Sequence, residues 1–280
     1  MIPQKIHYCW LSGEEMPSWI IKCMETWKEI MPDYELVLWD KNKFDVNTLA
    51  FIEESCKAKR WAFAADYIRL YALYNEGGIY LDTDVIVKKR FDDFLNHDFF
   101  SGIEWHYGVL RKKYTRQFQY KEKLPDIIPN TPWVGVQAAI MGSIQGHPYL
   151  KDCLDWFQDN EYVIQPAKIK TDVPVFEAIA PEVYATIALK YGFLYKNTKQ
   201  ELLQNMVIYP SSIFAGNVYQ VAGSNYAIHC CATGWRDKKK SLYQKLSHNK
   251  LLRKILGQKP LQEPCPIDPF DMVQKFYALM

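Results

Sequence analysis

Asp82 and Asp84 are the only aspartates two residues apart in this 280-residue chain, and they directly follow the run Gly77-Gly78-Ile79-Tyr80-Leu81. An apolar run after a glycine turn predicts a strand, in which residues i and i+2 point to one face. The two carboxylates are therefore expected to project together, with Thr83 facing away. Paired oxygens at the end of a rigid strand suit a hard divalent cation such as Mg²⁺ or Mn²⁺, whose other positions are filled by waters and phosphate oxygens. That pattern points to chemistry on a diphosphate.

A second polar pair lies just upstream. Asp66 and Arg69 are spaced to share a helix face, together with the apolar Ala62, Ala65, Leu70 and Leu73. At this spacing a surface ion pair is the ordinary reading, and it contributes little. Charges placed within an apolar helix need partners and often mark a polar ligand.

These residues need elements to hold them. Lys5 to Trp10 reads as a first strand, and Pro17 opens a helical pattern through about Ile30. Tyr34 to Trp39 reads as a second strand, and Trp61 to Tyr74 as a strong helix ended by Asn75 and the two glycines. Ile79 to Asp82 and Val85 to Val87 flank the acidic pair as strand pieces. This alternation predicts an α/β domain with a mostly parallel sheet. Further on, Val134 to Met141 reads as a strand, and His147 to Phe157 and Val175 to Tyr191 read as helices. Met206 to Tyr209 and Tyr226 to Cys231 complete the strands. Residues 107–132 are basic and aromatic and read as a lid or acceptor-side excursion.

With 49% hydrophobic residues, one domain of this length can bury a large core. The net charge of +2 gives no sign of a nucleic-acid partner. No run of about 18 apolar residues marks a membrane span, and the first residues lack the apolar core of a secretory signal. The seven cysteines contain no C-x-x-C pair, which suggests reduced thiols in the cytosol.

An Asp-x-Asp after an apolar strand also occurs in haloacid dehalogenase-type phosphatases, where the first Asp is the nucleophile. Those enzymes need a later Gly-Asp-containing metal motif, and this chain has no Gly-Asp dipeptide.

The unbroken run from Trp61 to Asp84, WAFAADYIRLYALYNEGGIYLDTD, resembles the signature of the DXD sugar transferases of glycosyltransferase family 32. The opening Ile2 to Trp10, the segment Pro32-Asp33-Tyr34-Glu35 with Trp39-Asp40, Gly146-His147-Pro148, and Ala227-Ile228-His229 to Trp235 resemble its other landmarks. The similarity spans about residues 1 to 236, and the glucosylating domains of large clostridial toxins share its core pattern. The resemblance implies a GT-A, Rossmann-like nucleotide-sugar-binding fold over 1–236, followed by a basic amphipathic helical extension over 237–280. It implies a Mn²⁺ or Mg²⁺ cofactor, a nucleotide-sugar donor and retention of anomeric configuration.

Roles follow by position. Trp10 would stack on the base, Asp66 and Arg69 would hold the donor sugar and neighbouring groups, and Tyr80 would lie against the donor. Asp82 would contact the ribose or sugar and a metal-bound water, while Asp84 would ligate the metal directly. His229 and Thr233 are candidates to complete the metal shell, and Trp235 would reach the diphosphate through its indole N–H. Many relatives carry two histidines at the start of this segment and a serine directly before the tryptophan, whereas this chain has His229-Cys230 and Thr233-Gly234.

The expected function is transfer of a hexose from a UDP-sugar to an oligosaccharide or lipid-linked saccharide, in capsule, O-antigen or other surface polysaccharide synthesis. A GDP-mannose-dependent transferase, a toxin-like protein glycosylator and an inactive nucleotide-sugar-binding protein are the alternatives. The expected location is cytoplasmic, with the basic tail as a peripheral contact to the inner face of the plasma membrane.

Overall fold

The computed structural model describes residues 1–105, 134–159 and 180–231, together with 270, 271, 273 and 274. The expected excursion at 107–132, Thr233, Trp235 and nearly all of the 237–280 extension lie outside the described residues.

Strand β1 (Lys5–Cys9) leads through helix α1 (Ser18–Ile30) to β2 (Glu35–Trp39). Helices α2 (Ala50–Lys57) and α3 (Trp61–Glu76) then lead to β3 (Gly78–Leu81) and β4 (Val85–Val87). After these come β5 (Phe99–Trp105), β6 (Val134–Ser143), α4 (Pro148–Asp159) and α5 (Ala180–Ala188). The last strands described are β7 (Gln200–Leu202), β8 (Met206–Tyr209), β9 (Phe214–Ala215) and β10 (Ala227–His229).

Seven strands form one sheet in the order β2-β1-β3-β6-β5-β8-β7, and β4-β10-β9 form a small second sheet. The α/β class is as expected from the sequence. The β2-β1-β3 half is parallel. Beyond it the sheet is mixed: β6 runs antiparallel to both β3 and β5, while β5 and β8 are parallel.

Strand alternation sorts β3 into two cores. Tyr80 joins the core shared with α2, α3, α4 and α5 on one face. Ile79 and Leu81 join the core shared with α1, β4 and β9 on the other. The large sheet is thus covered on both faces, and its β1 and β3 carboxyl ends carry Trp10 and Asp82.

The turn into β3 needs both glycines. Gly77 caps α3 at φ 63°, its N–H bonded to the Leu73 carbonyl at 2.9 Å. Gly78 follows at φ 110°, where a Cβ would meet the Lys5 carbonyl oxygen at 3.0 Å. These are left-handed positions that glycine tolerates best. His7, fully buried, fastens the turn: its Nε2 donates to the Gly77 carbonyl at 2.8 Å, and its Nδ1 accepts from Trp39 Nε1 at 3.0 Å. Burial holds this imidazole below its ordinary pKa, in keeping with a neutral ring that both donates and accepts.

Sheet packing gives one direct stability test. A Cβ at Gly142 would stand 2.0 Å from Cε1 of the fully buried Phe100. Gly142→Ala is expected to destabilise the fold by about 3 kcal/mol through overpacking. Urea denaturation reads this, and an unchanged midpoint would refute it.

Candidate active site

Strand β3 ends at Leu81, before the acidic pair. Asp82 to Asp84 instead form a turn, closed by the Val85 N–H donating to the Asp82 carbonyl at 3.0 Å. The carboxylates therefore converge through a turn and not through the strand pleat expected from their spacing. Two further backbone bonds tether this turn. The Asp82 N–H donates to the Ala139 carbonyl on β6, and the Cys230 N–H donates to the Asp84 carbonyl, each at 2.9 Å.

The second of these tethers brings in the histidine. Strand β10 pairs antiparallel with β4 and sets His229 opposite Val85. His229 Nε2 lies 3.2 Å from Asp84 Oδ1 and 4.0 Å from Asp82 Oδ2. Ligand atoms of Asp82, Asp84 and His229 all fall within 4.8 Å of one another. Burial alone would lower the His229 pKa, but Asp84, with Asp82 behind it, raises it well above the ordinary value. The imidazolium thus stands where a cation is wanted. Two carboxylates and one imidazole fit Mn²⁺ or Mg²⁺ in donor chemistry, and binding would displace the proton from His229.

On the α3 side the acids meet Arg69. Its Nη2 lies 3.0 Å from Asp66 Oδ1 and 3.4 Å from Asp82 Oδ1, and its Nε donates to the Ala65 carbonyl at 3.1 Å. The guanidinium also sits 4.8 Å from the centre of the Tyr80 ring. Tyr80 Oη donates to Asp82 Oδ1 at 3.0 Å. Asp82 therefore has one oxygen engaged by Tyr80 and Arg69, while its other oxygen faces His229. Arg69 is buried, and among the described residues its Nη1 has no hydrogen-bond partner. Burial, reinforced by Asp82 and opposed by Arg69, pushes the Asp66 pKa up to about 7. Tyr184 Oη fixes the Asp66 backbone by donating to its carbonyl at 2.7 Å.

The acidic turn borders a cavity of about 340 Å³ lined by Trp10, Trp61, Ala65, Tyr80, Asp82 and Asp84, with His229 at its wall; Asp66 and Arg69 connect to this lining through Asp82. Trp10 donates its Nε1 hydrogen to the Glu14 carbonyl at 2.7 Å, so the ring face is what it can offer a ligand. Asp66, Arg69, Tyr80, Asp82, Asp84 and His229 thus come together as one connected set, with Trp10 on the same cavity. Thr233 and Trp235 lie outside the described residues.

Sequence reasoning passed over Lys59, Trp61, Cys9 and Cys231, which also line the cavity. Trp61 opens the family-like run, a signal that was present. Burial pushes the Cys9 thiol up to about 12, so it is no ready nucleophile.

Comparison with known proteins bears on the same residues. Residues 17–101 match the family described as the glycosyltransferase sugar-binding region containing a DXD motif. An uncharacterized glycosyltransferase of Acanthamoeba polyphaga mimivirus is 36% identical over 109 residues, covering 36% of this chain and 42% of that protein. Inositol phosphoceramide mannosyltransferase 3 of Schizosaccharomyces pombe is 27% identical over 153 residues, covering 53% of this chain and 35% of that protein. The chain thus spans less than half the length of these curated relatives. Among solved structures, the galactosyltransferase LgtC with donor and acceptor sugar analogs aligns over 90% of this chain and 95% of that one, at 11% identity and a TM-score of 0.40. Residues 17–101 of this chain are thus similar to a glycosyltransferase sugar-binding region, and Asp82-Thr83-Asp84 is the Asp-x-Asp triplet within the matched stretch.

Proposed function

We propose that the protein is a metal-dependent, retaining glycosyltransferase that moves a hexose from a nucleoside-diphosphate sugar to a saccharide acceptor. The observation that carries this reading is the convergence of Asp82, Asp84 and His229 on one cavity, with Asp66 and Arg69 linked to them through Asp82.

Asp84 and His229 would hold a Mn²⁺ or Mg²⁺ ion, with Asp82 acting through a bound water. The ion would neutralise charge that builds on the diphosphate as the glycosidic bond breaks. Trp10 supplies a stacking face for the base. Asp66 accepts from donor-sugar hydroxyls, and the free Nη1 of Arg69 donates to them or to neighbouring donor groups. Together they orient the sugar so that the acceptor hydroxyl attacks from the productive face. In this reading the leaving phosphate accepts the acceptor's proton, and no protein carboxylate acts as a covalent nucleophile. Thr233 and Trp235 would complete the diphosphate side.

UDP is the first donor nucleotide to test. GDP-mannose is a second reading, favoured by the similarity to an inositol phosphoceramide mannosyltransferase. No helix among the described residues is long and apolar enough to cross a membrane. A lipid-linked or surface-polysaccharide acceptor, met at the membrane face through the basic tail, belongs to this proposal.

Thermal unfolding with UDP or GDP, each with and without Mn²⁺, tests the core of it. Nucleotide at about 100 times its Kd should stabilise the protein by about 2.7 kcal/mol, and only when metal is present. No metal-dependent shift with either nucleotide would sink the reading.

A further inference from the structure

The small sheet that carries His229 has two faces. On β10, Ala227 points into the core shared with the large sheet, and His229, two residues on, lies on the same side of the strand. Ile228 and Cys230, which flank His229, point the other way. They enter a separate small core with Ile86 of β4, Ala215 of β9 and Cys23 of α1. That core backs both halves of the metal site. Ile86 lies two residues after Asp84, and the Cys230 N–H donates to the Asp84 carbonyl at 2.9 Å.

One more member of this core comes from more than forty residues beyond β10. Val273 is fully buried in it, and Phe270 packs against it. Residues 270, 271, 273 and 274 are helical, with Asp271 and Gln274 exposed. Phe270 and Val273 share one face of the helix by their spacing, and that face is turned onto the small sheet. Lys22 of α1 meets the same piece, with its Nζ 3.7 Å from Asp271 Oδ1 and 5.7 Å from the centre of the Phe270 ring. Exposed contacts of this kind contribute little, so the buried valine carries the docking.

Strand β10 depends on such backing. It has three residues and pairs with three of β4 and two of β9. So short a ladder fixes a strand weakly, whereas a metal ligand must be held to within about 0.5 Å by the packing around it.

Building on the metal-site reading above, we propose that Val273 is a positioning residue for the metal centre. Through the small core it holds β10 against β4, and so keeps His229 and the Asp84 carbonyl in place. Ion affinity then depends on the docking of the helix at 270–274.

Val273→Ala tests this, with Ile208→Val as a control for general loss of stability, since Ile208 is fully buried in β8 of the large sheet. In metal-free protein, amide hydrogen exchange at Cys230 should quicken about tenfold more than at the β8 amides in Val273→Ala. In Ile208→Val the Cys230 amide should not be singled out. By calorimetric titration, Mn²⁺ affinity should fall by roughly three- to tenfold in Val273→Ala and stay at the wild-type value in Ile208→Val. Phe270→Leu, a milder change on the same helix face, should move both readouts in the same direction. The proposal is overturned if Cys230 exchange merely follows β8 in Val273→Ala, if Mn²⁺ affinity is unchanged, or if Ile208→Val weakens the ion equally. A wild type that takes up no Mn²⁺ would remove the metal reading itself. A Cys230 amide still singled out in that case would leave Val273 as a support of β10 alone.

Discussion

Asp84→Asn is expected to leave the fold intact and to lower metal-dependent sugar-nucleotide hydrolysis by about 10²–10³-fold. Asp84 lies nearest to His229, at 3.2 Å, and its side chain is only 14% exposed, so solvent does little to soften the loss of charge. The amide keeps the shape and one oxygen but gives up the anion that a hard divalent cation requires. A pH arm separates this from a mere packing defect. In the wild type, Asp84 and Asp82 hold a proton on His229 well above the ordinary imidazole range. A metal bound through His229 would displace that proton, so apparent Mn²⁺ affinity should climb as pH rises. In Asp84→Asn the main source of that proton affinity is gone, and the slope should flatten. Mn²⁺ titrations at several pH values read both effects. Wild-type turnover in the variant, with an unchanged pH slope, would exclude Asp84 as the ligand.

Arg69→Met should produce the largest loss of stability, about 3 kcal/mol, because it leaves Asp66 and Asp82, with side chains 16% and 25% exposed, without their buried cation. The arginine side chain is 3% exposed and lies between Asp66 and Asp82. Methionine fills a similar volume, so the deficit is electrostatic more than a cavity. The pH dependence follows from Asp66. Burial, reinforced by Asp82 and opposed by Arg69, lifts its folded-state pKa to about 7, above the 3.8 of a free side chain. A group raised on folding contributes stability that fades as pH climbs through the folded value. The wild type should therefore weaken between about pH 4 and pH 7 on account of this residue. Without Arg69 the folded value rises further, and the weakening should extend to higher pH. Urea denaturation of Arg69→Met and of Asp66→Asn/Arg69→Met at pH 6 and about pH 8 checks this. The double variant should recover part of the loss at the higher pH, and no recovery would place the defect in packing.

How far the sequence could be read depended on whether a signal was local. The glycine turn, the α3 face and the acidic pair were legible because period and spacing encode them directly. Their convergence was anticipated, but the pleat was the wrong cause: Asp82 leaves the strand, and the turn closed by Val85 does the work. Helix α2 was passed over because its eight residues, AFIEESCK, carry charges on too short a span to declare a period. Strand β5 went unread beside a strongly patterned β6, although its pairing with β6 and β8 lies inside the large sheet. The mixed direction of the sheet was not readable, since polarity beyond β3 is set by which strand closes beside it. His229 was found through resemblance, and a lone histidine at a strand end gives no other sign.

The two backbone tethers on the acidic turn also set an order of assembly. Asp82 is fixed by β6 and Asp84 by the residue following β10, so the segments that complete the site are far apart in the chain. Pairings of such long sequence separation form late, after nearer contacts have absorbed the entropy of closing the intervening loops. A nascent chain that has emerged only as far as β6 can seat Asp82, but it has no imidazole and no anchor for Asp84. A metal held at this site would therefore report on the pairing of β10 with β4, the strand that brings His229 to the acidic turn.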